Sequence, residues 1–405
     1  MGFMGGLACG ALVAWIVLLA AWGFFWLPAP RLTKRRDTQS SDPSGSPPVV
    51  AVVPARNERD VIESSLASLL QQTYGGPFRV ILVDDRSSDG TADAARRAAA
   101  RCGRSHRLST VDGSELPAGW SGKVWAMQQG VAASTGASPT YLWFTDADIT
   151  HDSWVLDALV DRAESERLDL VSTMATLRVG ASWDRVLIPA FVYFFAKLYP
   201  FRFVSSPRHR RAGAAGGCML VRRTALEKAG GLERIAAARI DDCALGRLVK
   251  RSGGRLWLGF CHGVRSMRRY DSLASVWDMV ARSAYTQLHH SPVLVAGTIV
   301  GMLFLYAVPV FACVGGAVAA VAGVTGGVLL ALLGAAAWGL MTGSFVPILH
   351  HHGVHWAFAP LLPVAGVLYT GMVLSSGWRH MRGRGGEWKG RVYDPEGGGS
   401  RTVKR

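Results

Sequence analysis

The chain has 405 residues, room for two or three domains; 49% are hydrophobic and only 18% charged, with a mean hydropathy of +0.20, too few charges for an ordinary soluble enzyme. The net charge of +15 and pI near 10.0 suit nucleic acid, an anionic membrane face or phosphorylated substrates. No zinc-finger spacing or aromatic RNA-binding motif accompanies the charge, which sets nucleic acid aside, and six scattered cysteines without a CxxC pair argue against a disulfide framework or a zinc site.

Gly6 to Leu27 is nearly uncharged and about as long as a bilayer core requires. No Lys or Arg precedes it, whereas Arg31, Lys34, Arg35 and Arg36 follow. Residues 1–30 are therefore expected to span the membrane, with the N-terminus outside and the chain cytoplasmic from residue 31. A cleaved signal peptide is the competing reading, but the basic n-region that normally opens one is missing. Residues 31–48, with the Ser- and Pro-rich stretch Asp37 to Pro48, read as a linker.

Between residues 49 and 290, short β-branched or aromatic runs alternate with mixed-face helical segments. The runs are Val49–Val53, Arg79–Val83, Tyr141–Thr145 and Leu168–Thr173; the helical segments include Glu58–Gln72 and Thr91–Arg101. This alternation predicts an α/β domain, Rossmann-like, with a mainly parallel sheet and helices on both faces. Ligands of such sheets bind beyond the carboxyl ends of the strands. Trp183–Val204 is apolar and aromatic but interrupted by Asp184, Arg185, Pro189, Lys197, Pro200 and Arg202. It reads as an interfacial amphipathic helix, with a buried core helix as the alternative.

Three apolar segments follow within residues 291–378: Val293–Val314, Ala317–Met341 and Trp356–Ser376. Three crossings would put the tail outside, yet residues 379–405 carry Arg379, Arg382, Arg384, Lys389 and Arg391, which argues for a cytoplasmic tail. The expectation is that one segment, the last with its Pro360 and Pro363, is re-entrant or interfacial. His350, His351, His352 and His355 fall between two apolar segments and read as a membrane-boundary loop.

The chemistry gathers at strand ends. The first strand runs into Pro54-Ala55-Arg56-Asn57-Glu58, a strand-to-helix turn that presents backbone N–H groups. The second ends in Asp84-Asp85, where a carboxylate can accept from a nucleobase N–H or a ribose hydroxyl. Asp89-Gly90-Thr91 beyond it forms a turn and a helix cap. The run Tyr141–Thr145 ends in Asp146-Ala147-Asp148, whose carboxylates share a face if the chain stays extended. Mg²⁺ or Mn²⁺ bound with substrate phosphates takes one or two such carboxylates. Asp152 is expected to cap a helix. Each motif alone has a plain structural reading as a turn or a cap.

Together, PARNE, VDDRSSDGT, the Gly122-Lys123-Val124-Trp125-Ala126 helix start and TDAD resemble family 2 glycosyltransferases of the GT-A fold. Gly213–Arg223 resembles the glycine-rich segment of that family, and Ile240-Asp241-Asp242 its acidic motif. The resemblance is nearest to the membrane-integrated ceramide glucosyltransferase branch and, within it, to hopene-associated glycosyltransferases; Trp388–Tyr393 is a candidate match for that branch's basic end.

The resemblance implies an inverting transfer of sugar from a nucleotide-diphosphate donor, with UDP-sugar favoured, to a lipid acceptor in a bacterial-type inner membrane. It implies that Pro54, Ala55, Arg56 and Glu58 border the nucleotide and that Asp84 and Asp85 bind its base or ribose. Lys123 would lie near the ribose or diphosphate. Asp146 and Asp148 would form the metal and diphosphate pair, and Asp242 the general base. The family's Gln-x-x-Arg-Trp motif is degenerate here, with only Arg282 kept in Met279–Ser283. A polyprenyl-phosphate or processive polysaccharide transferase, or a non-catalytic membrane scaffold or sensor of sugar nucleotides, are the other readings.

Overall fold

A computed structural model describes residues 2–34, 45–180 and 183–382, together with short strands at 387–388, 391–392 and 401–402. Arg35, Arg36, most of the Asp37–Pro48 linker, and Arg384 and Lys389 of the tail lie outside those residues.

Eight strands make the main sheet: β1 (Val49–Ala55), β2 (Phe78–Asp84), β3 (Leu108–Asp112), β4 (Tyr141–Phe144), β5 (Ile149–His151), β6 (Leu170–Thr176), β7 (Met219–Arg222) and β8 (Leu256–Ser266), in the order β3-β2-β1-β4-β7-β6-β8-β5. β1 is buried along its whole length, as its Val-rich sequence requires of a strand covered on both faces. It pairs in parallel with β2 and β4, and β2 with β3. Pro54 cannot donate to a ladder, but pairing of β1 with β4 ends at Val52–Phe144, so no donor is needed there on that side. β7 runs antiparallel to both β4 and β6, β6 runs parallel to β8, and β5 turns back along β8.

β7 decides where the chemistry lies. Because it runs against β4, with Phe144 opposite Met219, the residues entering β7 stand at the edge where β1, β2 and β4 end. The helix Gly122–Ala133 crosses the sheet beneath that edge, and a Cβ on its Gly130 would lie 2.3 Å from Val52 Cγ1. A side chain there would push the helix off the sheet.

The chain divides into two compact units. One comprises Ala29–Arg178, Phe201–Arg268 and Glu387–Arg405 and contains the sheet. The other comprises Met1–Pro28, Val179–Pro200 and Arg269–Gly386. In it, among the described residues, four helices are long and apolar enough to cross a membrane: Gly2–Ala21, Pro292–Val321, Gly327–His351 and Trp356–Met381.

The boundaries differ from the sequence reading. The first helix stops at Ala21, before Phe24 at φ +51°. The expected segment Ala317–Met341 straddles a helix break, where Gly323 and Gly326 adopt φ +72° and +85° and turn the chain. The last apolar segment is long enough to cross. His350 and His351 finish a helix instead of lying in a loop. Asp184–Leu198 is helical as expected and packs within this unit. Tyr193 is fully buried with its hydroxyl 2.6 Å from Ser344 Oγ, and Lys197 donates to the Tyr306 hydroxyl at 2.9 Å, so this lysine turns inward.

Candidate active site

The loops after β1 and β2 are tied into one surface by cross-loop hydrogen bonds. Asn57 N donates to Ser87 Oγ (2.9 Å), Glu58 N to Thr91 Oγ1 (2.9 Å) and Arg59 N to Asp89 Oδ2 (3.0 Å). Asn57 and Arg86, one on each loop, hold positive φ of +50° and +57°; such backbone is costly unless its surroundings impose it, and it clusters at functional sites. Asp89 Oδ1 accepts from Thr91 N at 3.0 Å just ahead of the helix Thr91–Arg101, whose N-cap position is Gly90.

Within this surface the expected nucleotide-side residues occupy distinct places. Pro54 and Ala55 are buried in β1, and Ala55 O accepts from Asp85 N at 2.8 Å. Asp84 Oδ1 accepts from Ser87 N at 2.9 Å and so shapes the turn. Asp85 is fully buried; Arg56 lies against it, donating to its carbonyl at 2.6 Å with Nη1 3.9 Å from its carboxylate.

Asp146 and Asp148 do not lie on an extended strand. They occupy the turn by which the chain leaves β4 and reverses into β5, so their side chains face different partners. Asp146 Oδ1 is 2.7 Å from Lys123 Nζ. Asp148 Oδ2 accepts from Arg268 Nε at 2.7 Å. The Arg268 guanidinium also comes within 3.8 Å of Glu58 Oε1, linking the turn after β1 to the turn after β4. Asp152 is held by both terminal nitrogens of Arg265, at 2.7 and 3.0 Å, in place of the expected side-chain cap.

Lys123 also reaches the acidic motif, with Nζ 2.9 Å from Asp241 Oδ2. Burial works against its charge, but Asp146, Asp241 and Asp242 outweigh that and raise its pKa, so it stays an ammonium. Asp241 and Asp242 open the helix Asp241–Arg251, where the helix dipole favours carboxylates. Asp242 Oδ2 accepts from Gly216 N at 2.8 Å and Oδ1 from Cys243 N at 2.6 Å. Burial, and then the neighbouring Asp241 charge, push its pKa up to about 6, against the lowering effect of Lys123 and the two backbone N–H groups. A carboxylate poised near neutrality suits a general base.

The glycine-rich segment forms the wall between these groups. A Cβ on Gly216 would lie 3.3 Å from both Asp242 Oδ2 and Lys123 Nζ. Gly217 O accepts from Thr145 Oγ1 at 2.8 Å, fixing this wall to the end of β4.

The sheet edge thus joins Asp146, Asp241 and Asp242 through Lys123 and Gly216, and Asp148 and Glu58 through Arg268. Arg282 belongs to the other unit, at the C-terminal end of the helix Leu273–Ala281. Arg268 was missed from the sequence, where it is one of two adjacent arginines after a strand and no spacing marks it. Asp146 and Asp148 carry hard oxygens of the kind that Mg²⁺ or Mn²⁺ takes when phosphates complete its shell, but each carboxylate here faces its own cation, Lys123 for Asp146 and Arg268 for Asp148. Among the described residues no group of three or more His, Cys, Asp or Glu forms a cage, so a cation here would depend on oxygens from a ligand.

Residues 50–230 match the family described as Glycosyl transferase family 2. The undecaprenyl-phosphate 4-deoxy-4-formamido-L-arabinose transferase of Pseudomonas aeruginosa (strain LESB58) is 29% identical over 182 residues, covering 42% of this chain and 45% of that protein. The uncharacterized glycosyltransferase EpsJ of Bacillus subtilis (strain 168) is 31% identical over 125 residues, 31% of this chain and 33% of that one. The chain spans less than half the length of these curated relatives. Among solved structures, the mannosyltransferase PcManGT from Pyrobaculum calidifontis, in complex with GDP-Man and Mn²⁺, superposes with a TM-score of 0.54 at 20% identity, covering 91% of this chain and 98% of that one. The fold is therefore GT-A, a Rossmann-like mixed sheet accompanied by apolar helices.

Proposed function

We propose that this chain is an inverting, membrane-bound family 2 glycosyltransferase that moves a sugar from a nucleotide-diphosphate donor, UDP-sugar in the first instance, to a hydroxyl-bearing membrane lipid of hopanoid or ceramide type. The observation that carries the reading is the meeting of Asp146, Asp241 and Asp242 around Lys123 at the edge where β1, β2 and β4 end. A turn, a cap or a solvated charged face would not need to bring these groups together.

The residues divide the work. Arg56, Glu58, Asp84 and Asp85 line the nucleotide side. Lys123 stays cationic and faces the growing charge of the leaving diphosphate. Asp242, held by Gly216 N and Cys243 N, takes the proton from the acceptor hydroxyl. Positioned general-base help is worth about 10²- to 10⁴-fold. Asp146 and Asp148 would hold Mg²⁺ or Mn²⁺, which when bound supplies several kcal/mol of charge stabilisation to the diphosphate. The apolar helices support a lipid acceptor and a membrane protein; a multi-pass location in a bacterial-type inner membrane is part of the proposal, and the basic residues after the first span support a cytoplasmic catalytic domain.

A second reading, transfer to a polyprenyl phosphate, is favoured by the similarity to the undecaprenyl-phosphate transferase. It differs chemically, because an acceptor phosphate is already ionised and needs no base. The test supplies the full chain in nanodiscs with labelled UDP-sugar, divalent cation and a total membrane lipid extract. A labelled glycolipid that survives mild acid and disappears on chelation supports the first reading. A product cleaved by mild acid supports the second, and no lipid product under any condition rejects both.

A further inference from the structure

A basic loop in the sheet-containing unit is not used by the chemistry described above. The helix Phe201–Ser205 runs into Ser206-Pro207-Arg208-His209-Arg210-Arg211, and every residue from Pro207 to Arg211 is exposed. Between Phe201 and Arg222 the sequence contains no Asp or Glu, while Arg208, Arg210 and Arg211 stand within four consecutive positions. The guanidinium groups of Arg208 and Arg210 enter no ion pair among the described residues. Like charges crowded in this way repel, and their nearest chain neighbours offer no compensation.

The loop is nevertheless pinned. Lys250, in the last turn of the helix Asp241–Arg251, donates to the carbonyls of Val204 (2.6 Å), Arg211 (2.8 Å) and Ser206 (3.0 Å), and to that of Phe203 at a weaker 3.4 Å. The Phe203 ring stacks on His209 with centroids 4.1 Å apart. A fourth cation thus fixes the backbone of a loop already rich in positive charge, which holds the arginines outward at little further entropic cost.

The loop is also mechanically continuous with the catalytic edge. After Arg211 the chain is buried from Ala212 to Ala215, and Ala215 N donates to Ser172 Oγ at 2.9 Å. Gly216 then holds Asp242. Five residues of chain span at most about 18 Å, so Arg211 stands within that distance of the glycine that positions the base.

We propose that Arg208–Arg211 is a docking surface for anionic lipid headgroups, which holds the edge bearing Asp242 at the bilayer. The inference rests on the reading that the acceptor lies in a membrane, but its test reads docking and not transfer, so the two fail separately. An arginine close to an anionic membrane contributes about fivefold to attachment, so Arg208 and Arg210 together contribute about 25-fold. The attraction is screened within roughly a Debye length and weakens with salt.

The test compares hydrogen–deuterium exchange of the segment 201–216 in full-length protein held in two kinds of nanodisc. One is phosphatidylcholine alone; the other contains about one-third phosphatidylglycerol, enough to give a negative surface. Docking gives protection of the segment in the anionic discs that is lost at high salt. The double variant Arg208→Gln/Arg210→Gln loses most of it while still binding nucleotide, and Arg208→Lys/Arg210→Lys keeps it. Equal exchange in the two discs overturns the proposal. Protection induced in phosphatidylcholine discs by inorganic phosphate also overturns it and makes the loop a free-phosphate site.

Discussion

Replacing Lys123 by methionine removes the cation between the two acidic motifs while keeping most of the side chain's volume. The point where a Gly216 Cβ would sit is 3.3 Å from both Lys123 Nζ and Asp242 Oδ2, so the two charges lie no more than twice that distance apart. At an effective dielectric near 20, unit charges about 6 Å apart interact by roughly 2.8 kcal/mol, about two pKa units. Lys123 lowers the Asp242 pKa, so its loss raises it. The base works only when ionised; the wild-type rate should therefore fall as pH drops through about 6, and in Lys123→Met that acidic limb should move upward by about one to two units. The assay is kcat/KM for transfer between pH 5 and 9, with the protein in nanodiscs and saturating divalent cation. A limb that stays in place, or moves to lower pH, refutes the placement of Lys123 beside the base.

Other outcomes follow from single contacts. Arg268 lies on Asp148, so Arg268→Gln should remove a competing cation and tighten Mn²⁺ binding in the presence of saturating nucleoside diphosphate, by about fivefold for a loss of about 1 kcal/mol of competition; electron paramagnetic resonance titration reads it, and unchanged or weaker binding contradicts it. Gly216→Ala places a methyl group at 3.3 Å from Asp242 Oδ2 and Lys123 Nζ; displacing these groups should lower kcat about tenfold with donor affinity kept, as steady-state kinetics would report. His151 is buried beside Trp143 and burial lowers its pKa to about 3. The unfolded chain takes up that proton near pH 6.5 and the folded chain does not, so its contribution is intact above pH 6.5 and is lost as pH falls toward 3, at up to about 1.4 kcal/mol per unit. His151→Gln should remove that part of the acid sensitivity, read as the difference between variant and wild-type unfolding profiles; identical profiles contradict it.

What the sequence disclosed depended on how local each signal was. β1, β2 and β4 were legible because β-branched and aromatic runs stop at polar turns, and Thr91–Arg101 was found with its observed ends because Asp89, Gly90 and Thr91 mark its start. β8 was not read out, since Gly259 and Gly263 interrupt it and most of it is buried on both sides, leaving no alternation. β7 has only four residues after a run of glycines, yet its antiparallel course brings Gly216 to the edge. Asp146 and Asp148 were recognised as a pair, but their separate partners depend on the reversal into β5. Arg268 is close to Asp148 only because β8 returns beside β5, a pairing 120 residues away in the chain. Helix ends among the apolar segments were misplaced because composition carries no phase there; Gly323 and Gly326 supplied the break.

Asp242→Asn keeps the shape of the side chain and removes its ability to take a proton. Equilibrium donor binding and single-turnover transfer, measured on one preparation of this variant with divalent cation and lipid acceptor present, bear most directly on the site. Donor affinity within about twofold of wild type, with transfer slowed by 10² to 10⁴ or about that range, is the expected result. Transfer at the wild-type rate would mean that the acceptor needs no base or that the base is elsewhere, and the role given to Asp242 would be wrong.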